Sequence, residues 1–234
     1  MHGEHQLAWS AANEMLDAGE REANIAMKIT AHRRIGWTAL YRGELDLVPR
    51  HIDESLRLCT TQYASSSFDY KLGSDPGVLG RCVRIYHQWL IGLQDKASHT
   101  AGEAVRCARD SGHPYTLVYA LTYSTQRAIV DYDTSMATEL AGESISLAKK
   151  HGFLLLHSWA LISAGWAASR EGDLTSGLSQ FLEGLSSYTK GGQTLFRPFF
   201  LSLLAELYLT QEYGVLRLAE ESEFPSVVIE PSVR

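Results

Sequence analysis

One register narrows what this chain can fold into more than any other feature. Val48, Ala97, Ala137, Gly177 and Arg217 hold equivalent places in successive apolar stretches, separated by 49, 40, 40 and 40 residues. Two further columns keep step, and both are mostly small: Gly36, Ile85, Thr125, Gly165 and Ala205, and then Ser55, Ala104, Ser144 and Gly184. A fixed period of this length means that one supersecondary unit is stacked repeatedly, each copy burying its apolar face on the next.

The unit is helical. There are only six prolines, no Asn-Gly or Asp-Gly hairpin turn and no sustained alternation of β-branched residues, so strands are not indicated. Ala/Leu-rich stretches with helical spacing are instead broken by short polar punctuation: Gly43-Glu44-Leu45-Asp46, Gly92-Leu93-Gln94-Asp95, Asp131-Tyr132-Asp133 and Gly172-Asp173. Each reads as a helix stop followed by an N-cap, because glycine accepts the left-handed stop and an aspartate carboxylate accepts an orphan backbone N–H. Four tight helical hairpins follow. Two helices per unit, with small residues where they meet, match tetratricopeptide-type packing, with longer helices because 40 residues exceeds the usual ~34. The expected fold is all-α, a right-handed α-solenoid with a repeat of about 40 residues.

The irregularities are local. The longer first spacing places an insertion in Thr60 to Ser74, ending at Asp75-Pro76-Gly77, where Asp75 can cap a helix whose first residue is Pro76. Leu7 to Ala18 resembles the second helix of a unit whose first is missing. Arg217, Glu221 and Phe224 occupy columns that are small or apolar elsewhere. The expected organisation is one repeat domain over residues 1–222, about five units starting and ending in mid-repeat, with an irregular tail over 223–234. Open solenoid ends imply an adjoining domain, a homo-oligomer or fraying.

Composition removes several functional classes. A net charge of −6 lacks the basic footprint of a nucleic-acid binder. Cys59, Cys82 and Cys107 form no Cys-x-x-Cys pair or secretory framework, and the first residues carry no basic-then-apolar leader, so a cytoplasmic location is expected. Phe153 to Ser169 lacks Asp, Glu, Lys and Arg, but 17 residues is marginal for a bilayer and the stretch falls in register, so it reads as a buried helix.

Catalytic chemistry is not indicated. No Gly-x-x-x-x-Gly-Lys-Ser/Thr loop is present to cradle phosphates, and no Gly-x-Ser-x-Gly elbow. His151 and His157 are six apart, off the helical metal-pair spacing, so neither a metal nor another cofactor is expected. The aromatic residues point elsewhere. In tetratricopeptide-type units the first helix of each pair lines a concave groove that takes extended or helical partners. The register places Arg33, Trp37, Tyr41, Tyr86, Trp89, Tyr119, Gln126, Trp159, Ile162, Trp166 and Arg170 there, as partly exposed rings and their polar companions. The competing interpretation is that the rings pack between helices.

The chain also resembles the C-terminal helical-repeat region of large bacterial signalling proteins that join a class III adenylate/guanylate cyclase, or a DNA-binding domain, to a P-loop ATPase. The resemblance covers Leu7 to about Ala219. It is carried by Gly73 to Gly77, Ala31 to Gly36, Ala104 to Pro114, Gly165 to Gly172, and Arg197 to Leu201 with Leu204-Ala205-Glu206. It implies a non-catalytic module that binds a protein or peptide partner, such as a cyclase or P-loop ATPase domain, and regulates it. The alternatives are a small-molecule sensor using the same groove and a degenerate fragment of a larger cyclase or ATPase. Arg81 and Arg84 depart from the pattern at normally apolar positions, which implies a rotated second unit or an acidic partner.

Overall fold

The computed structural model describes residues 2–63 and 74–221, with side chains over 5–61 and 74–210. Ten α-helices follow one another among the described residues, with no strand: α1 (His2–Arg21), α2 (Ile25–Arg42), α3 (Leu47–Leu58), α4 (Pro76–Leu90), α5 (Gln94–Ser111), α6 (Pro114–Val130), α7 (Thr134–His151), α8 (Leu154–Arg170), α9 (Leu174–Lys190) and α10 (Arg197–Glu221). Consecutive helices pack on each other, and α2, α4, α6 and α8 also pack side by side. The fold is an α-solenoid of tetratricopeptide-like hairpins.

Local chemistry sets most helix starts. Asp75, Asp133 and Asp173 accept the backbone N–H groups of Val78, Met136 and Ser176 at 3.0, 2.9 and 3.2 Å. At α6 the cap is His113, whose Nδ1 accepts the Thr116 N–H at 3.3 Å ahead of Pro114. Two expected caps differ. The Asp46 side chain makes no capping bond, and α5 begins at Gln94 behind Leu93, which puts Asp95 inside the first turn, where it faces the helix dipole. Gly112 ends α5 with φ +65°, a conformation that strains a residue carrying a Cβ.

The small columns lie where helices touch. Ser55, Ala97, Ala104, Ala137 and Ser144 are all buried, and α8 meets α9 through Gly165, Gly177 and Gly184. A Cβ on Gly165 would lie 2.5 Å from the Gly177 carbonyl oxygen. The register fails at its last member. Ala205 is exposed, because α10 runs unbroken through Arg217 and, among the described residues, no second helix folds back on that face. Among the described α10 side chains, Phe200, Leu203 and Leu207 turn inward instead.

Phe153–Ser169 supplies most of α8, which is exposed at Leu154 and Leu155 and largely buried from Leu156 to Ser169. Among the described residues no helix is long and apolar enough to cross a membrane. Of the expected insertion, Cys59–Tyr63 continues α3 as a single π-helical turn. Residues 64–73 of that insertion, and the expected tail over 223–234, lie outside the described residues. Arg84 finds its acidic partner within the chain, at Asp53 of α3. Arg81 hydrogen-bonds the Gly77 carbonyl at 3.2 Å.

Candidate functional site

Arg33, Trp37 and Tyr41 recur every four residues and share one stripe of α2. The same face of α4 carries Tyr86 and Trp89, and that of α6 carries Tyr119, Tyr123 and Gln126. Side-by-side packing of these helices brings the stripes together. Trp37 lies edge-on to Tyr41, Tyr86 and Tyr123, with centroids 5.0, 6.2 and 5.8 Å away. Tyr123 stacks on Tyr119 at 4.6 Å and on Trp159 of α8 at 6.0 Å. For α2 to reach α6 and α8 through one ring, the first helices must lie on the inside of the curve. The aromatic face is therefore concave.

Two members of this face were not in the sequence-derived set. Tyr123 stands one turn beyond Tyr119, so helical spacing alone could have found it. Phe196 lies in the connection between α9 and α10, where no helical register points. Its ring sits 4.4 Å from Trp159 and 6.1 Å from both Tyr41 and Tyr86, so it bridges α8 back to α2 and α4. The backbone N–H of Phe196 donates to the Tyr188 hydroxyl at 3.1 Å, fixing the bend.

Three expected groove residues belong elsewhere. Trp166 and Ile162 have no exposed surface and pack in the core that α8 forms with α6, α9 and α10. The glycine contacts draw α9 so close that this part of α8 has no free face. Arg170 pairs with Glu206 at 3.3 Å and lies over the Tyr132 ring at 5.1 Å, tying α8 to α10. Trp159 is also buried, yet its ring edges the concave face. Trp37, Tyr41, Tyr86, Trp89, Tyr119 and Arg33 remain partly exposed.

The electrostatic character of this face is unusual for a core. Arg33 Nε, Tyr41 OH, Tyr86 OH, Gln126 Oε1 and Trp159 Nε1 are all buried and have no hydrogen-bond partner among the described residues. Buried polar atoms are normally paired, and each exception calls for an explanation. Burial pushes the Tyr41, Tyr86 and Tyr119 hydroxyls far above the usual phenol range, so they stay neutral donors. Beside them a cavity of about 150 Å³ is lined mainly by Ile85, Tyr86, Trp89, Tyr123, Phe196 and Phe199. An apolar void of roughly that size admits a benzene-sized group.

The opposite face holds a larger depression, about 400 Å³, between α5 and α7. Of the charged residues there, Arg109 pairs with Glu143 at 2.6 Å and Arg127 pairs with Asp131. Asp131 thus closes α6, while Asp133 caps α7. Among the described residues no three His, Cys, Asp or Glu side chains gather where a metal ion could sit.

One histidine pair escaped the sequence reading because its members lie on different helices. His32 of α2 and His51 of α3 bring their Nδ1 atoms to 3.0 Å, so one must donate and the other accept. Burial lowers both pKa values, and the neighbouring imidazole lowers that of His32 further; Glu54 and Glu20 oppose this shift and Lys28 adds to it. Near His51 it is Arg50 that adds to the lowering. A depressed folded-state pKa means that the unfolded chain binds more protons just below pH ~6.5. Stability is therefore full above that value and falls as the pH drops through the folded pKa values. The melting temperature at pH 5 should be lower than at pH 7.5, and His51→Gln should flatten that dependence. An unchanged slope in the variant would remove the pair as its source.

A curved stack of helical hairpins whose first helices line an aromatic inner face defines a tetratricopeptide-like solenoid. The chain is similar in structure to a Rap protein complexed with Competence and Sporulation Factor, with a TM-score of 0.56 and 12% sequence identity over 91% of this chain and 67% of that one. No family model and no curated protein matches the sequence. The likeness is one of fold.

Proposed function

We propose that the chain is a non-catalytic peptide-binding module whose ligand lies on the concave face of α2, α4, α6 and α8. The observation that carries this reading is the set of buried, unpartnered polar atoms on that face. An extended peptide brings free backbone N–H and C=O groups that would satisfy them, and the apolar side chains of an extended or helical peptide would meet the rings. The size of the cavity favours a peptide over a free small molecule. Pockets for such ligands run about 300–1,000 Å³, whereas 150 Å³ accepts one inserted side chain. The Rap protein was solved with Competence and Sporulation Factor bound, which makes a ligand on this architecture a reasonable model. The finer setting, regulation of a cyclase or P-loop ATPase, rests on the sequence resemblance.

Peptides selected from a random display library on the full chain, then synthesised and titrated, test the reading. Tyr86→Phe removes only a buried hydroxyl without a partner, so it should hold or raise the melting temperature. The same change should weaken peptide binding about 3- to 10-fold, the usual worth of one hydrogen bond. A destabilised variant with unchanged affinity would assign the hydroxyl to the fold and remove this support.

A further inference from the structure

Arg33 lacks the acidic partner that four other arginines have among the described residues. Arg42 pairs with Glu44, Arg84 with Asp53, Arg127 with Asp131 and Arg170 with Glu206. Among the described residues no hydrogen bond or ion pair reaches Arg33, and its Nε is wholly enclosed. It stands one turn before Trp37, at the edge of the concave face formed by the N-terminal ends of the first helices. The groups acting on it from α4 and α6 are Cys82, Tyr115, Tyr119 and Tyr123, and Cys59 acts from the end of α3.

None of these supplies a counter-charge. Burial pushes the Cys59 thiol up to about 12, and it raises Cys82 and the tyrosines as well. Arg81, which also faces Cys59 and Cys82, adds a second cation at the same edge. Asp75, an acidic group that faces Cys59, caps α4 through Oδ1. A guanidinium does not shed its proton in a protein, so Arg33 carries a positive charge that has no acidic partner among the described residues.

We infer that Arg33 is the specificity-determining residue of the concave face and receives the side-chain carboxylate of an aspartate or glutamate in the bound peptide. The inference rests on the peptide-binding reading above. A carboxylate fits best because its two oxygens accept parallel N–H donors from the planar guanidinium, giving charge-assisted hydrogen bonds. The surrounding phenols, held neutral, add donors without competing for the charge.

The test uses the full chain and display-selected heptapeptides, synthesised with an amidated or a free C-terminus and with each Asp or Glu changed to Asn or Gln. Selected sequences should be enriched in Asp or Glu, and one carboxylate-to-amide change should weaken binding at least tenfold. Arg33→Gln should bind the acidic and amide peptides equally. Arg33→Met should keep or raise the melting temperature, because it removes a charge that lacks a partner. Tenfold discrimination that survives in Arg33→Gln, or a requirement for the free C-terminus alone, would overturn the assignment. So would a fall in the melting temperature of Arg33→Met, which would give the guanidinium a structural role. Peptides that bind without any carboxylate preference would overturn this inference and leave the peptide-binding reading standing. Failure to select any binding peptide would remove both.

Discussion

Gly177→Ala is expected to cost about 3 kcal/mol or more, beyond the usual range for one added methyl group in a packed interior. The new Cβ would lie 2.3 Å from Ser169 Oγ, 2.6 Å from the Ser169 backbone nitrogen and 2.7 Å from the Gly165 carbonyl oxygen. The hydroxyl could rotate away, but the two backbone atoms belong to α8 and cannot move without separating the helices. Gly165→Ala faces the same obstacle from α9, where the Gly177 oxygen and the Phe181 nitrogen both lie at 2.5 Å. Gly142→Ala is the control. Its Cβ would meet nothing within 4 Å in the middle of α7, so alanine's helix preference should stabilise the fold by about 0.5–1 kcal/mol. Urea denaturation of the three variants gives the comparison. Similar midpoints for Gly177→Ala and wild type would show that the α8–α9 contact is looser than described.

Tryptophan truncation should give the second large effect and separate core from binding face. Trp166 is 0% exposed and packs with Phe181 and Ala167 in the core around α8, so Trp166→Ala should open a cavity costing about 3–5 kcal/mol. Trp89 is only partly buried and forms a wall of the 150 Å³ cavity. Trp89→Ala should leave the thermal melt close to that of wild type and weaken a selected peptide by tenfold or more, as loss of a central aromatic contact usually does. Circular-dichroism melts and peptide titrations on the same preparations measure both. Equal destabilisation by the two changes would place Trp89 in the core and count against a binding face on α4.

The aromatic face shows where residue spacing stops being informative. Arg33, Trp37 and Tyr41, and likewise Tyr86 and Trp89, share a face because three- and four-residue steps do so on any helix. The same steps join Trp159, Ile162 and Trp166, yet only Trp159 reaches the concave side. Which way a stripe turns is decided by the helices that cover it, and here α9 and α10 cover all but one end of the α8 stripe. Phe196 was beyond reach for another reason. It sits in a connection, and its contacts with Tyr41 and Tyr86 join residues more than a hundred positions apart.

The amino-acid sequence by itself determined the helical hairpins, their 40-residue period and the small residues at their contacts, because capping, helix spacing and close approach act over a few neighbours or repeat in every unit. The tertiary structure alone decided which rings face inward, that α10 continues where a further hairpin was expected, that His32 meets His51, and that Arg33 has no counter-ion among the described residues. Those outcomes depend on curvature, the sum of small rotations between units, and on what is absent from the surroundings of a charge. Neither quantity is written in the spacing of residues along one helix.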